Sequence, residues 1–228
     1  MAETFDEYAR TYGDDLNKGL AVSGESSDFF LDGRVRWLAR RLDELGVRVD
    51  RVVDYGCGTG AAAPVLSRVL GAGSVVGIDS SSEQIAIARR DHPATEFLTA
   101  DEFKPAPKND LVYCNGVFHH IPPPGRMTVV RSINQCLRPG GFFALWENNP
   151  WNPGTRYIMS KVPFDRDAIT LTGTEARRLV VEGGFEALQT DFLFIFPRAL
   201  RALRGLEPYL AQFPLGAQYL VLGRKPPG

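Results

Sequence analysis

Arg51-Val-Val-Asp-Tyr-Gly-Cys-Gly-Thr-Gly60 is the stretch on which the reading of the fold turns. A short β-branched run ends in a carboxylate and an aromatic, and then meets three glycines at alternate positions. The run reads as a buried strand. Gly56 and Gly58 remove side chains where the chain must turn tightly and let its backbone approach a ligand. A helix follows to about Leu70, and Ser74-Val-Val-Gly-Ile-Asp79 is a second strand, after which Ser80–Ser82 can cap a helix from Glu83 to Arg90.

The alternation extends both ways. Upstream, Val35, Leu38, Leu42 and Leu45 share one face of a helix over 34–45, stopped by Gly46. Downstream, strands are expected over 95–99, 110–114 and 142–146. An amphipathic helix is expected over 127–137, and Arg138-Pro-Gly-Gly141 is expected to break it. Such alternation predicts an α/β, doubly wound sheet with helices on both faces. A proline- and asparagine-rich loop is expected over 147–172, then a helix over 174–182. Strands over 185–196 and 217–222 flank a helical stretch over 198–212 and can pair antiparallel at an edge.

The chain has 228 residues, 44% hydrophobic and 23% charged, which suits one sizeable core. The expected organisation is a single domain over 1–228, with 1–33 as an N-terminal lid and 147–172 as a substrate loop. A net charge of −1 provides no basic field for a nucleic-acid backbone. The acidic start lacks the apolar run of a secretory signal, and Phe192–Phe196 is too short to span a bilayer. Cys57, Cys114 and Cys136 have neither disulfide-framework nor zinc-site spacing. The expectation is a cytoplasmic protein with reduced thiols, no metal, no membrane and no nucleic-acid partner.

In an open parallel sheet, ligands bind beyond the carboxyl ends of the strands. Asp79 lies there, about twenty residues past the glycines, where a carboxylate can accept both hydroxyls of a ribose. Asp101, just past the third strand, sits where an acceptor can receive an adenine amino group, or is an exposed turn residue. Gly56, Gly58 and Ala61 also satisfy the dinucleotide fingerprint. Asp54 argues against that cofactor, because its carboxylate would repel a pyrophosphate and attract a cationic ligand.

These residues resemble the class I S-adenosylmethionine-dependent methyltransferases. Val52–Gly60 is similar to their first motif and Val76-Gly-Ile-Asp79 to their second. Asp110-Leu-Val-Tyr-Cys-Asn-Gly-Val-Phe-His-His-Ile121 is similar to their fourth-strand motif, and Leu137-Arg-Pro-Gly-Gly-Phe142 to the turn into the fifth strand. The resemblance implies a Rossmann-like, seven-stranded sheet, mostly parallel with an antiparallel last strand, and S-adenosyl-L-methionine as cofactor. It implies that Asp54 and the loop of Gly56, Cys57, Gly58 and Gly60 hold the methionine end. Asp79, with Ser80 beside it, would hold the ribose, and Asp101, Glu102 and Phe103 the adenine. Asn115 would lie by the methionine portion, and Tyr12 would close over the site.

Methyl transfer from a sulfonium requires alignment and exclusion of water more than acid–base chemistry. Should the acceptor need deprotonation, His119 and His120 are the candidate bases, with Glu147 next; each can instead simply shape its loop. Asn148, Asn149 and Trp151 make a candidate recognition segment for a small-molecule acceptor of O, N or C type in a biosynthetic pathway, and Arg156 can pair with an acidic group. Two other readings stand beside this one: an NAD(P)-dependent oxidoreductase, and an S-adenosylmethionine-binding protein that catalyses a non-methylating reaction.

Overall fold

The computed structural model describes residues 11–228, except for the side chain of Tyr12. That side chain, proposed above to cover the site, thus lies outside the described residues. The seven strands are β1 (Arg51–Tyr55), β2 (Ser74–Asp79), β3 (Glu96–Thr99), β4 (Asn109–Asn115), β5 (Leu137–Asn148), β6 (Glu186–Leu193) and β7 (Gln218–Arg224). They form one sheet in the order β3-β2-β1-β4-β5-β7-β6. β7 pairs antiparallel with both β5 and β6, and all other pairings are parallel. The late strands thus meet as expected, with β6 outermost.

The eight described α-helices are α1 (Tyr12–Leu20), α2 (Ser27–Glu44), α3 (Ala62–Leu70), α4 (Ser82–Asp91), α5 (Pro123–Cys136), α6 (Pro153–Lys161), α7 (Gly173–Glu182) and α8 (Glu207–Leu210). Period-two alternation sends β1 side chains to opposite faces. Val52 joins a core layer with Leu38 of α2, Leu66 of α3 and Ile85 of α4. Val53 joins the other layer, with Ile133 of α5 and Val180 of α7. The strand order reverses between β1 and β4, so their carboxyl ends, at Tyr55 and Asn115, border the crevice typical of doubly wound sheets.

Four expectations need correction. α2 starts seven residues earlier than its apolar stripe, because the Ser26 side chain caps it by accepting from Phe29 N. Arg138-Pro-Gly-Gly141 does not precede β5 but lies within it, across a register shift opposite Asn109 and Leu111. There the glycines trade backbone bonds with Lys225, Gly140 N to Lys225 O and Lys225 N to Gly141 O. The 147–172 segment is not one loop: Asn152 caps α6 by accepting from Thr155 N, with Pro153 in its first turn. The 198–212 stretch is mostly 3-10 helix, Arg198–Leu206, followed by the single turn of α8.

The placement of α2 depends on a buried carboxylate. Asp191 of β6 has no exposed surface; it accepts from Trp37 Nε1 at 2.7 Å and from Arg41 Nε and Nη2 at 2.7 and 3.1 Å. Gln189 and Gln212 complete its shell, each at 2.8 Å. The far edge of the sheet thereby holds the helix that carries Arg34 to the site. Asp191→Ala leaves Trp37 Nε1, Gln189 and Gln212 without their shared acceptor and the half-buried Arg41 with Glu44 alone, and a loss of about 2–3 kcal/mol is expected in urea unfolding. A loss below about 1 kcal/mol, the worth of an exposed pair, would contradict this.

Candidate active site

β1 ends where the glycine loop begins. Gly56 N and Cys57 N both donate to Ile78 O, at 2.7 and 2.9 Å, which folds the loop back over β2. Gly56 has a φ of +76°, and a Cβ there would stand 2.2 Å from Val117 Cγ2. No larger residue fits either the backbone or the space. Asp79 spans the loop and the head of α4, accepting from Gly58 N and Ser81 N at 2.9 Å each. Ser81 is the α4 cap, accepting from Gln84 N. The carboxylate at the end of β2 is therefore oriented by backbone amides.

Around these groups is a cavity of about 250 Å³, lined by Gly56, Gly58, Asp79, Ser80 and Asn115 among the expected residues, and by Ala100 at its far end. Cys57 and Gly60 do not line it. The Cys57 thiol is buried behind the loop, which pushes its pKa up, and Gly60 abuts the Phe97 ring. Nor do Asp101, Glu102 and Phe103 reach it. Asp101 is exposed beyond Ala100, Glu102 is tied to Arg89 and to Thr99 N, and Phe103 packs on the core.

Asp54 is 2% exposed, and its Oδ2 is a buried atom without a hydrogen-bond partner. Burial, reinforced by the neighbouring Asp79, raises its pKa to about 7, while Arg34 pulls the other way. Arg34 is itself buried and forms no ion pair among the described residues. Its Nε donates to Tyr113 Oη at 3.2 Å and its Nη1 to Gln218 Oε1 at 2.9 Å, both neutral acceptors. The sequence reading missed Arg34. It sits at i, i+4, i+8 with Leu38 and Leu42, an arginine on an apolar stripe, and that was the available signal.

Arg34 lines a second cavity of about 110 Å³, which shares Asn115, Gly116 and His120 with the first. His119, Asp165, Asn148 and Gln218 also border it, and Leu16 and Leu20 of α1 cover one side. Of the expected recognition residues only Asn148 is there. Asn149 is buried and spends its amide on Pro214 O, Gly216 O and Trp151 N. Trp151 is 59% exposed, Arg156 is exposed on the outer side of α6, and neither borders a cavity.

The two histidines are unlike each other. His119 is 3% exposed; its Nδ1 lies 2.6 Å from Glu147 Oε2, while Glu147 Oε1 accepts from Phe118 N at 2.7 Å. Burial opposes a charge on His119, but Glu147 and Asp165 outweigh it and lift its pKa to about 10. The same cation holds Glu147 low despite its burial. As a cation at neutral pH, His119 is no proton acceptor, and Glu147 is committed to orienting it. Burial and the adjacent His119 lower His120 to about 4, so His120 is neutral where the cavities meet. The fold also brings Asp165, from the 3-10 turn Pro163–Asp165, against both imidazoles. This makes a cluster of metal-ligand type that sequence spacing did not reveal.

Residues 52–141 match the model of a methyltransferase domain. The trans-aconitate 2-methyltransferase of Azoarcus sp. (strain BH72) is 32% identical over 114 residues, 49% of this chain and 44% of that protein. The trans-aconitate 2-methyltransferase of Escherichia coli O157:H7 is 28% identical over 191 residues, 77% of this chain and 75% of that one. The match thus spans less than half the length of one relative and three quarters of the other. Among solved structures, an S-adenosylmethionine-dependent methyltransferase from Mesorhizobium loti superimposes with a TM-score of 0.60 at 23% identity, covering 86% of this chain and 100% of that chain. A glycine loop at the switch point with carboxylates ending β1 and β2 defines a nucleoside-binding α/β protein. Over residues 52–141 the chain is thus similar to a methyltransferase domain, on the fold of S-adenosylmethionine-dependent methyltransferases, and the cofactor these matches support is S-adenosyl-L-methionine. Among the described residues, no helix is long and apolar enough to cross a membrane.

The His119–Glu147 pair is a source of stability with a definite pH signature. Because the folded pKa of His119 is raised, its contribution is whole below pH 6.5 and lost as pH rises through about 10. Glu147→Gln is expected to cost about 3 kcal/mol in denaturant unfolding at neutral pH, with the gap to wild type narrowing above pH 10. A gap that does not change with pH would rule out the ion pair.

Proposed function

We propose that the chain transfers the methyl group of S-adenosyl-L-methionine to a small-molecule acceptor held in the second cavity. One observation carries the reading. At the end of β1 the fold buries an unpartnered carboxylate oxygen, Asp54 Oδ2, beside a guanidinium, Arg34, whose hydrogen bonds go only to neutral groups. Leaving both charges buried and incompletely satisfied is costly, unless a ligand supplies complementary ones. The amino-acid end of the donor has an ammonium and a carboxylate, which suit Asp54 and Arg34. Because Arg34 lines the second cavity, the donor's methionine end reaches past Asn115 and Gly116 into the part of that cavity next to the first, and the acceptor takes the rest. A dinucleotide would instead set a pyrophosphate against Asp54.

Within this reading Asp79 and Ser80 hold the ribose, Gly56 and Gly58 let the backbone come close, and Asn115 stands between donor and acceptor. When bound, the donor supplies an activated methyl on a sulfonium, displaced in line by the acceptor. The chain's own part is to align the two and to exclude water. Both flanking segments serve that end: Leu16 and Leu20 of α1, and Thr155, Met159 and Phe164 of the 147–172 stretch, wall the second cavity. The described part of the N-terminal segment, 11–33, then acts as a lid on a single catalytic unit. The enclosed size of this cavity and the net charge of −1 favour a small molecule over a polymer. The two relatives named above act, by their names, on the small acid trans-aconitate. An acceptor of biosynthetic origin and a cytoplasmic site of action fit this picture.

Asp54 gives the donor reading a pH dependence. Its raised pKa means that the empty chain loses stability as pH rises from 3.8 through about 7, where the buried group must ionise. A cationic ligand favours the ionised form, so donor affinity is expected to rise as pH rises through about 7, with release of a proton. Calorimetric titration with S-adenosylmethionine checks this. Asp54→Asn should weaken binding at least about tenfold at neutral pH, roughly 1.4 kcal/mol, and flatten the pH slope. Saturation by NAD with no heat from S-adenosylmethionine would overturn the reading, and methylated product by mass spectrometry would complete it.

A further inference from the structure

We propose that His119, His120 and Asp165 form a divalent-metal site of the two-histidine, one-carboxylate kind, opening into the acceptor cavity. His119 Nε2 and His120 Nε2 each lie 3.4 Å from the same oxygen, Asp165 Oδ1. The candidate ligand atoms of the three residues all fall within 4.8 Å of one another. An ion about 2.0–2.1 Å from its ligands has tetrahedral edges of about 3.4 Å, so the gap between imidazoles and carboxylate is the size of a coordinated zinc-class ion. The two rings lie 4.1 Å apart, centroid to centroid, at an interplanar angle of 52°.

A ligating imidazole is neutral, so an ion bound here takes the place of the Nε2 proton that His119 otherwise keeps, and that proton is released to solvent. A ligating imidazole donates its other nitrogen to a carboxylate, which fixes ring and tautomer. His119 Nδ1 meets Glu147 Oε2 at 2.6 Å, and Phe118 N holds the other oxygen of that carboxylate at 2.7 Å. The three ligands are buried, with side-chain exposures of 3%, 14% and 8%. All three line the second cavity, and His120 also borders the first. Three protein ligands leave at least one position for water or for an oxygen of the acceptor. Nitrogen-rich donors in such a pattern select zinc, iron or cobalt over magnesium or calcium.

The ion's role rests on the methyl-transfer reading, while its binding does not. Coordinated there, an acceptor hydroxyl becomes more acidic and releases its proton to solvent. Its oxygen lone pair then forms the new carbon–oxygen bond as the sulfur–carbon bond breaks, the bonding pair staying on sulfur.

The test is equilibrium dialysis of the full chain against Zn²⁺, with Co²⁺ as a spectroscopic probe and S-adenosylmethionine binding measured in parallel. About one ion per chain is expected, with the visible absorption of a nitrogen-ligated, low-coordinate cobalt centre. His120→Ala and Asp165→Asn should each lower metal affinity at least about tenfold. Near-ultraviolet circular dichroism checks that both variants fold. Metal binding without donor binding would support the site and defeat the methyl-transfer reading instead. Absence of stoichiometric metal, or equal retention by folded His120→Ala and Asp165→Asn, would overturn the proposal.

Discussion

The site depends on two carboxylates held at the ends of adjacent parallel strands, Asp54 on β1 and Asp79 on β2, close enough that Asp79 disfavours the charge on Asp54. Backbone amides of the glycine loop and of the α4 head satisfy Asp79. Asp54 has no such support, and the strain of keeping it ionised falls on that one group. The rest of the architecture follows from placing this pair. The sheet reverses its strand order beside β1, the loop needs glycine at position 56, and α2 must hold a guanidinium within electrostatic reach. That last requirement reaches across the molecule, through Trp37 and Arg41, to Asp191 on the edge strand.

The two cavities differ in the elements that wall them. The donor cavity is shaped mainly by β-strand ends and a backbone loop, parts that the parallel sheet positions rigidly. The acceptor cavity is walled by α1, α2, α6 and the turn at Pro163–Asp165, which lie outside the sheet. A conserved type of ligand on a rigid frame and a variable one among helices and turns is the arrangement by which one fold hosts many substrates. His120 and Asn115 belong to both cavities.

Much of this was legible in the residues because it is local. The β1 and β2 bounds follow from β-branched runs, and the α4 cap from its serines. Asp54 and Asp79 were singled out because strand ends in a parallel sheet converge by topology and Asn115 by the family resemblance, and Asp79 and Asn115 border one cavity. What escaped was set by contacts distant in sequence. Arg34 was passed over, although it shares a stripe with Leu38 and Leu42. Asp165 meets the histidines only because α6 and the following turn fold back over β5. Asn149 looked like a recognition group, yet it serves as a strut between β5 and the segment leading into β7, and Asn152, in the expected loop, caps α6. Asparagine and proline mark a helix start as readily as a loop, and only packing decides between them.

The central claim is that the buried Asp54 carboxylate awaits a cation. Its protonation can be followed directly by isotope-edited infrared or NMR titration of the aspartate, with and without S-adenosylmethionine. The account predicts a carboxyl that titrates at about pH 7 in the free chain and is ionised well below that when the donor is bound. An Asp54 that titrates in the ordinary carboxylate range when free, or that does not respond to the donor, would contradict it.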